Sequence, residues 1–162
     1  MDPRRGAGAA MRASQSRRSQ EIAEQILPEF VPSQFVAEWA AISYGRHNFL
    51  LAGAASAVDA MLVSTLPYLE APIRRFHEDT DTPLPARGTL IVSEIGGLNE
   101  EQQSRLLTWM EQSDPGARVQ IVSTTSRPIL PLLETGEFRA ELYYRLNIVR
   151  IDLGEPGTDL TA

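Results

Sequence analysis

The sequence contains no cysteine and no lysine, and all 15 of its basic residues are arginine. The lack of cysteine excludes disulfide bonds, thiolate metal sites and cysteine nucleophiles. The lack of lysine excludes a lysine Schiff base, a serine–lysine dyad and a phosphate-binding loop built on lysine. The two histidines, His47 and His77, are far apart in the sequence, so we expect ordinary surface or loop residues and no histidine metal centre.

Long apolar runs are also missing. No stretch approaches the roughly 20 residues that a membrane-spanning helix needs, and the arginine-containing start lacks the apolar segment of a signal peptide. We therefore predict a cytoplasmic protein. With 162 residues, 43% of them hydrophobic and 22% charged, the chain has the size and composition of one globular domain with tails.

The charge distribution predicts where those tails lie. Residues 1–19 contain five arginines against one acid, filled out mostly by glycine, alanine and serine, and such a segment cannot bury enough apolar surface to fold. We expect a disordered arginine-rich tail over 1–19, one domain over 20–153 and a C-terminal tail over 154–162. Because the net charge is −6, a DNA-binding face is not expected.

The segment Leu90–Ser93 is a short apolar run with no polar face, which is typical of a strand buried on both sides of a parallel sheet. Glu94 follows at its carboxyl end, the edge at which ligands bind in open α/β sheets. Glu94 is therefore a catalytic residue, a former catalytic residue that has lost its role, or an ordinary N-cap-like acid in a loop. The residues alone leave these interpretations open.

Alternating strand and helix patterns surround this segment and predict βαβ units with a parallel sheet. Asn99 is a good N-cap for a helix that carries Leu106, Leu107 and Met110 on one face. The other predicted strands are Asn48–Ala52, Pro72–His77 and Val119–Thr125, and the other predicted helices are Glu21–Leu27, Pro32 to about Ile42, and Ala55–Glu70. In the loop Glu78–Arg87, we interpret Glu78, Asp79 and Asp81 as solvated charges.

Three segments in succession carry a family resemblance: GTLIVSEIGGL over Gly88–Leu98, the strand Val119–Thr125, and EFRAELYYRLNIVRI over Glu137–Ile151, the last interpreted as a helix. The succession resembles the core of the AAA+ ATPase domain of sigma-54-dependent transcriptional activators. It covers Gly88–Leu153 and is weak before Gly88. It implies a three-layer α/β/α, P-loop NTPase-like core without the lid domain, and a parallel five-stranded sheet of order 5-1-4-3-2, with Asn48–Ala52 as strand 1 and Ile148–Leu153 as strand 5.

Compared with that family, the nucleotide-binding residues of this sequence are degenerate. Where the family has GESGTGKE, this chain keeps only Gly53, with Ser56 and Val58 at the inner glycines and Asp59 at the lysine. An aspartate beside a triphosphate costs on the order of several kcal/mol. We therefore expect ATP and magnesium binding to be weak or lost, with no cofactor and no metal.

The catalytic positions have changed as well. Ser93-Glu94 stands where the family has Asp-Glu, and Ser126 stands at the γ-phosphate-sensing asparagine, followed by a retained Arg127. The resemblance therefore predicts a pseudo-ATPase. The family's sigma-54 contact loop is missing and the sequence ends nine residues after Leu153, so we expect it neither to remodel sigma-54 nor to bind a promoter by itself.

The best-matched segment contains Arg139 and Arg145, which correspond to the family's trans-acting arginine fingers; we expect Arg145 to follow the end of the helix. The leading hypothesis is a catalytically inactive domain that regulates transcription through contact with AAA+ activator subunits or with itself. The alternative is a scaffold domain unrelated to sigma-54, in which the arginines make local ion pairs and a collapsed nucleotide cleft is filled by small residues, namely Ala54, Ala55, Ala57 and Val58.

Overall fold

The computed structural model describes residues 28–29, 31–76, 83–114, 116 and 118–154. The predicted tail over 1–19, the predicted helix Glu21–Leu27, the acids at 78, 79 and 81, and the tail beyond Gly154 lie outside these residues. The chain divides into two compact units, Met1–Ala40 and Ala41–Ala162. None of the helices in the described part of the chain combines the length and the apolar character that crossing a bilayer requires.

The first unit contains a 3-10 turn at Ser33–Phe35 and the beginning of helix α1 (Val36–Ser43). Pro32 immediately precedes the turn, where its missing N–H costs no helical hydrogen bond. The prediction of a helix from Pro32 to about Ile42 is therefore confirmed to within a residue or two.

The second unit is built on a parallel five-stranded sheet. Its strands are β1 (Phe49–Ala52), β2 (Ile73–Arg75), β3 (Gly88–Val92), β4 (Val119–Thr125) and β5 (Val149–Asp152). The spatial order is β2-β3-β4-β1-β5, and every neighbouring pair is parallel. This confirms the predicted order 5-1-4-3-2.

The helices of the second unit connect these strands. They are α2 (Ala55–Thr65), α3 (Glu100–Gln112), α4 (Leu130–Thr135) and α5 (Ala140–Leu146), with 3-10 turns at Leu66–Tyr68 and Ile95–Gly97. Helix α3 begins with a full capping box, in which Asn99 and Gln102 each accept the other's backbone N–H at 2.9 Å. The predicted N-cap is therefore confirmed.

Both faces of the sheet are buried, which produces the three-layer arrangement. On one face Leu50, Leu90 and Ile121 join a cluster with Leu106 of α3 and Leu142 of α5. The alternate strand residues point to the opposite face and are also almost completely buried, namely Phe49, Leu51, Ile91 and Val122. The core of this unit is thus continuous along the three central strands.

Two predicted helices are wrong in length. The segment Glu137–Ile151 is helical only over Ala140–Leu146, because the backbone leaves the helix at Asn147 and Val149–Asp152 pairs with β1. Arg139 is therefore the N-cap and Arg145 lies in the last turn, so the expectation that Arg145 follows the helix is also wrong. Helix α2 ends at Thr65 and not at Glu70, since Pro67 cannot donate a helical hydrogen bond.

Candidate functional site

The connection between β1 and α2 consists of only two residues, Gly53 and Ala54. Gly53 has φ of 147°, and a side chain there would place its Cβ 2.9 Å from the carbonyl oxygen of Gly154. The N–H of Gly53 donates to the carbonyl of Thr125 at 3.2 Å, and the N–H of Ala54 donates to the carbonyl of Gly154 at 3.3 Å. Both backbone donors are therefore already used within the fold.

The residues of this connection do not form a binding site for a nucleoside triphosphate with magnesium. A phosphate loop must present several backbone N–H groups to the phosphates before its helix begins. Here Ser56, Val58 and Asp59 lie inside α2, where Val58 is 1% exposed and donates its N–H to the carbonyl of Ala54. Asp59 is exposed on the helix, so its carboxylate adds a negative charge and no phosphate ligand.

An open depression of about 460 Å³ lies where β1, β4 and β5 end. Among the predicted nucleotide-binding positions it brings together Gly53 and Ser126, but Ser56 and Asp59 do not line it. The full lining is Ala52, Gly53, Ala54, Ser126, Arg127, Pro128, Arg150, Asp152 and Gly154. Of the four small residues named in the alternative interpretation, Val58 is buried, Ala54 and Ala57 are half-buried and Ala55 is exposed.

The charged side chains of the depression come from the loop after β4 and from strand β5. Arg150 donates to Asp152 at 3.1 Å, and both side chains are about half exposed. Arg127 follows Ser126 directly and is exposed. Within the described residues, no group of three or more histidine, aspartate or glutamate side chains is arranged to hold a metal ion.

Glu94 lies at the end of β3 and contacts Ser126 at the end of β4. Both carboxylate oxygens of Glu94 accept the backbone N–H of Ser126 at 3.1 Å, and the N–H of Glu94 donates to the hydroxyl of Thr124 at 3.0 Å. Glu94 is half-buried and adopts a left-handed backbone conformation with φ of 50°. Two positions singled out separately in the sequence therefore form one hydrogen-bonded pair, whereas the neighbouring Ser93 is exposed.

The two finger-like arginines lie beside α3 and pair with carboxylates of their own chain. Arg139 lies 3.4 Å from Glu100, while Arg145 lies 3.0 Å from Glu141 and 3.7 Å from Glu111. The side chains of Arg139 and Arg145 are 41% and 38% exposed. Such ion pairs are worth about 0–1 kcal/mol each, so they hold the guanidinium groups only weakly.

Sequence reasoning missed Gln103, which organises the backbone around Arg139. Its side chain is 1% exposed and makes three hydrogen bonds of 2.9 Å: it donates to the carbonyls of Leu98 and Glu137 and accepts the N–H of Arg139. Its spacing from Leu106 and Leu107 could have identified it as a buried residue. Gln103 shares the buried face of α3 with Leu106 and Leu107, and is thus a polar residue at an apolar position of the helical pattern.

A comparison with known protein families identifies the family of this chain. The model of the sigma-54 interaction domain matches residues 60–155, which is more than half of the chain. The chain belongs to this family. The match starts at Ala60, after the β1–α2 connection described above.

Curated relatives of this sigma-54 interaction domain are transcriptional regulators. The Nif-specific regulatory protein of Rhizobium leguminosarum bv. trifolii is 37% identical over 75 residues, which cover 41% of this chain and 21% of that protein. The DNA-binding transcriptional regulator NtrC of Rhizobium meliloti is 37% identical over 75 residues, covering 41% of this chain and 16% of NtrC. The matched segment thus spans about a fifth or less of these relatives.

Solved structures of NtrX from Brucella abortus have the same fold. The complex with ADP has a TM-score of 0.58 at 18% identity and covers 95% of this chain and 43% of NtrX. The complex with ATP has a TM-score of 0.57 at 18% identity, covering 95% and 46%. At this identity the likeness shows the fold alone, namely the parallel five-stranded sheet and the helices that cover it.

Proposed function

We propose that this sigma-54 interaction domain is a pseudo-ATPase that regulates transcription through contact with AAA+ activator subunits. The observation that carries the proposal is the start of α2 at Ala55, two residues after β1. A helix that begins there leaves no loop to surround a triphosphate. The N–H groups of Gly53 and Ala54, which would open such a loop, donate to carbonyls of the chain itself.

Charge supports the loss of nucleotide binding. Asp59 occupies the position at which the family carries its phosphate-binding lysine, and at position 93 a serine replaces the aspartate that organises magnesium. The remaining acid of that pair, Glu94, accepts the N–H of Ser126 with both oxygens. In this proposal Glu94 is a structural residue that joins the ends of β3 and β4.

The contact proposed for the activator uses the arginines of the Arg139–Arg145 segment. Both guanidinium groups reach solvent, and an incoming phosphate or carboxylate would replace weak exposed ion pairs at little cost. A guanidinium can stabilise negative charge in a neighbouring subunit's site without any nucleotide of its own. The proposed partner is a protein, since the net charge of −6 disfavours DNA.

One observation favours the second candidate, a scaffold domain in which these arginines are only structural. Arg145 already lies between Glu141 and Glu111, and Arg139 beside Glu100, so each has a carboxylate within its own fold. In that case the segment would persist because Phe138, Leu142 and Leu146 are core residues. The two candidates differ in whether the arginines affect another protein.

The test compares wild type with the Arg139→Ala/Arg145→Ala double variant in pull-downs from the native lysate and in ATP hydrolysis by the activator that is recovered. We expect an AAA+ activator to be recovered by wild type only, and only wild type to change the hydrolysis rate. The matched control is Arg74→Ala/Arg75→Ala, which removes two exposed arginines from β2. Equal behaviour of all three proteins would reject the proposal in favour of the scaffold.

Nucleotide binding is tested separately by calorimetry with ATP and magnesium. We expect no saturable heat at millimolar ATP, because the β1–α2 connection has no phosphate loop. Measurable hydrolysis by the isolated domain that disappears in Glu94→Gln would overturn the pseudo-ATPase assignment.

A further inference from the structure

The residue Gln103 is almost completely buried and yet polar, and all its side-chain hydrogen bonds go to the backbone. Its amide group donates to the carbonyls of Leu98 and Glu137, and its carbonyl oxygen accepts the N–H of Arg139, each at 2.9 Å. A buried glutamine with two donors and one acceptor used is well satisfied. Its removal would leave the carbonyls of Leu98 and Glu137 and the N–H of Arg139 without these partners.

The backbone of Arg139 is held from two directions. Its N–H is bound by Gln103, and its carbonyl oxygen accepts the N–H of Tyr143 at 3.0 Å in the first turn of α5. The preceding Phe138 is 1% exposed and donates its N–H to the carbonyl of Leu132 at 3.0 Å. The Cα of Arg139 is thus fixed, while its side chain remains 41% exposed.

The hydrogen bond from Gln103 to Leu98 connects it to the 3-10 turn that follows Glu94. Leu98 closes the 3-10 turn Ile95–Gly97, in which the N–H of Gly97 donates to the carbonyl of Glu94 and the N–H of Leu98 to that of Ile95. Gln103 therefore connects the turn after β3 directly to the residue at the start of α5. A local hydrogen-bonded route joins the end of β3 to Arg139.

We infer that Gln103 is a positioning residue for Arg139: it fixes the direction in which that guanidinium leaves the surface and so determines its effect on a neighbouring subunit. The inference rests on the proposed function of Arg139 and adds to it the residue that orients the contact. Because Gln103 is buried, its side chain would not contact the neighbouring subunit directly. It orients the Arg139 side chain only indirectly, through its hydrogen bonds to the main chain of Glu137 and Arg139.

Another buried glutamine, Gln120, offers a matched control. It is 3% exposed and donates to the carbonyls of Ile42 and His47 at 3.1 and 2.9 Å, near the start of β4 and away from Arg139. Methionine has nearly the shape of glutamine without its hydrogen bonds, so Gln103→Met and Gln120→Met are comparable losses. A purely structural role for Gln103 predicts similar behaviour of the two variants.

The first measurement is amide hydrogen exchange at Arg139 by NMR in the isolated protein. In Gln103→Met we expect exchange at Arg139 to be on the order of tenfold faster, and in Gln120→Met to be unchanged. Unchanged exchange at Arg139 in Gln103→Met would overturn the positioning role. This readout is independent of any partner.

The second measurement is ATP hydrolysis by the AAA+ activator recovered with wild type, after addition of each folded variant, at a temperature where circular dichroism shows both variants to be native. We expect Gln103→Met to lose at least half of the rate change caused by wild type, Gln120→Met to retain it, and Gln103→Met to add nothing to Arg139→Ala. Equal losses in the two methionine variants would overturn the inference. If Arg139→Ala behaves as wild type, the proposed function fails instead, while the exchange result still decides whether Gln103 holds Arg139.

Discussion

The β1–α2 connection and the α3–α5 region were both predicted to carry remnants of nucleotide chemistry, but they differ in what their residues do inside the fold. Directly after the first, in helix α2, Ser56 and Asp59 are exposed and make no contribution to the core. In the second, Phe138, Leu142 and Leu146 are at most 1% exposed and Gln103 is buried with three hydrogen bonds. Under the proposed function, the family pattern would thus be kept where its residues also pack and lost where they would serve only a ligand.

The largest expected effect tests the packing half of this comparison. Leu142 is completely buried in α5 within the cluster that includes Leu106 and Ile121. Leu142→Ala removes buried methyl groups and leaves a cavity, so we expect the free energy of unfolding in urea to fall by about 2–5 kcal/mol. Val63→Ala, at a position 65% exposed on α2, is the control and should change it by less than about 0.5 kcal/mol. A small effect at Leu142 would mean that packing does not explain this region.

An intermediate effect is expected at Glu94, which is predicted from the sequence as one member of a degenerate catalytic pair and which hydrogen-bonds to Ser126 and Thr124. Glu94→Ala leaves the N–H of Ser126 without its partner, so the free energy of unfolding should fall by about 1–2 kcal/mol, measured by urea denaturation. Glu94→Gln keeps an acceptor oxygen and should lose less. The exposed Glu134 serves as the control for removal of a carboxylate. If Glu94→Ala were as stable as wild type, Glu94 would be free for another role.

The smallest expected effect is on ATP binding. It tests whether the charge at position 59 or the backbone geometry of the β1–α2 connection prevents that binding. Asp59→Lys restores the family's charge, but position 59 lies within α2, which starts at Ala55. We expect calorimetry to detect no ATP binding, corresponding to a Kd weaker than about 1 mM, because charge alone does not rebuild a phosphate loop. Binding of ATP at micromolar concentration by this variant would show that charge, and not the helix start, blocks the site.

Much of the fold could be predicted because its strands carry strong local signals. The strand Val119–Thr125 has the predicted bounds, and the sheet order followed from the family resemblance. The start of α2 at Ala55 was also predicted, since the alanines there favour a helix over the open loop that glycines permit. The end of α5 was not, because the apolar pattern of EFRAELYYRLNIVRI continues through Asn147 although the helix stops.

The candidate site was predictable only residue by residue. Glu94 and Ser126 were recognised at two strand ends, but their contact depends on the register of β3 against β4, in which Val92 pairs with Ser123. Hydrogen bonds between residues 36 positions apart, such as that from the N–H of Arg139 to Gln103, leave no trace in local periodicity. The open depression beside Ala54 likewise results from the way three strands end together.

The short outer strands of the sheet have a consequence for how this domain associates. β2 has three residues, all exposed, two of them arginines, and β5 has four residues that include Arg150 and Asp152. Short, charged strands resist the addition of a further strand, because pairing would bury those charges or bring like charges together. Extension of the sheet into a continuous ladder of copies, the usual route to fibrous aggregates, is therefore disfavoured at both of these outer strands.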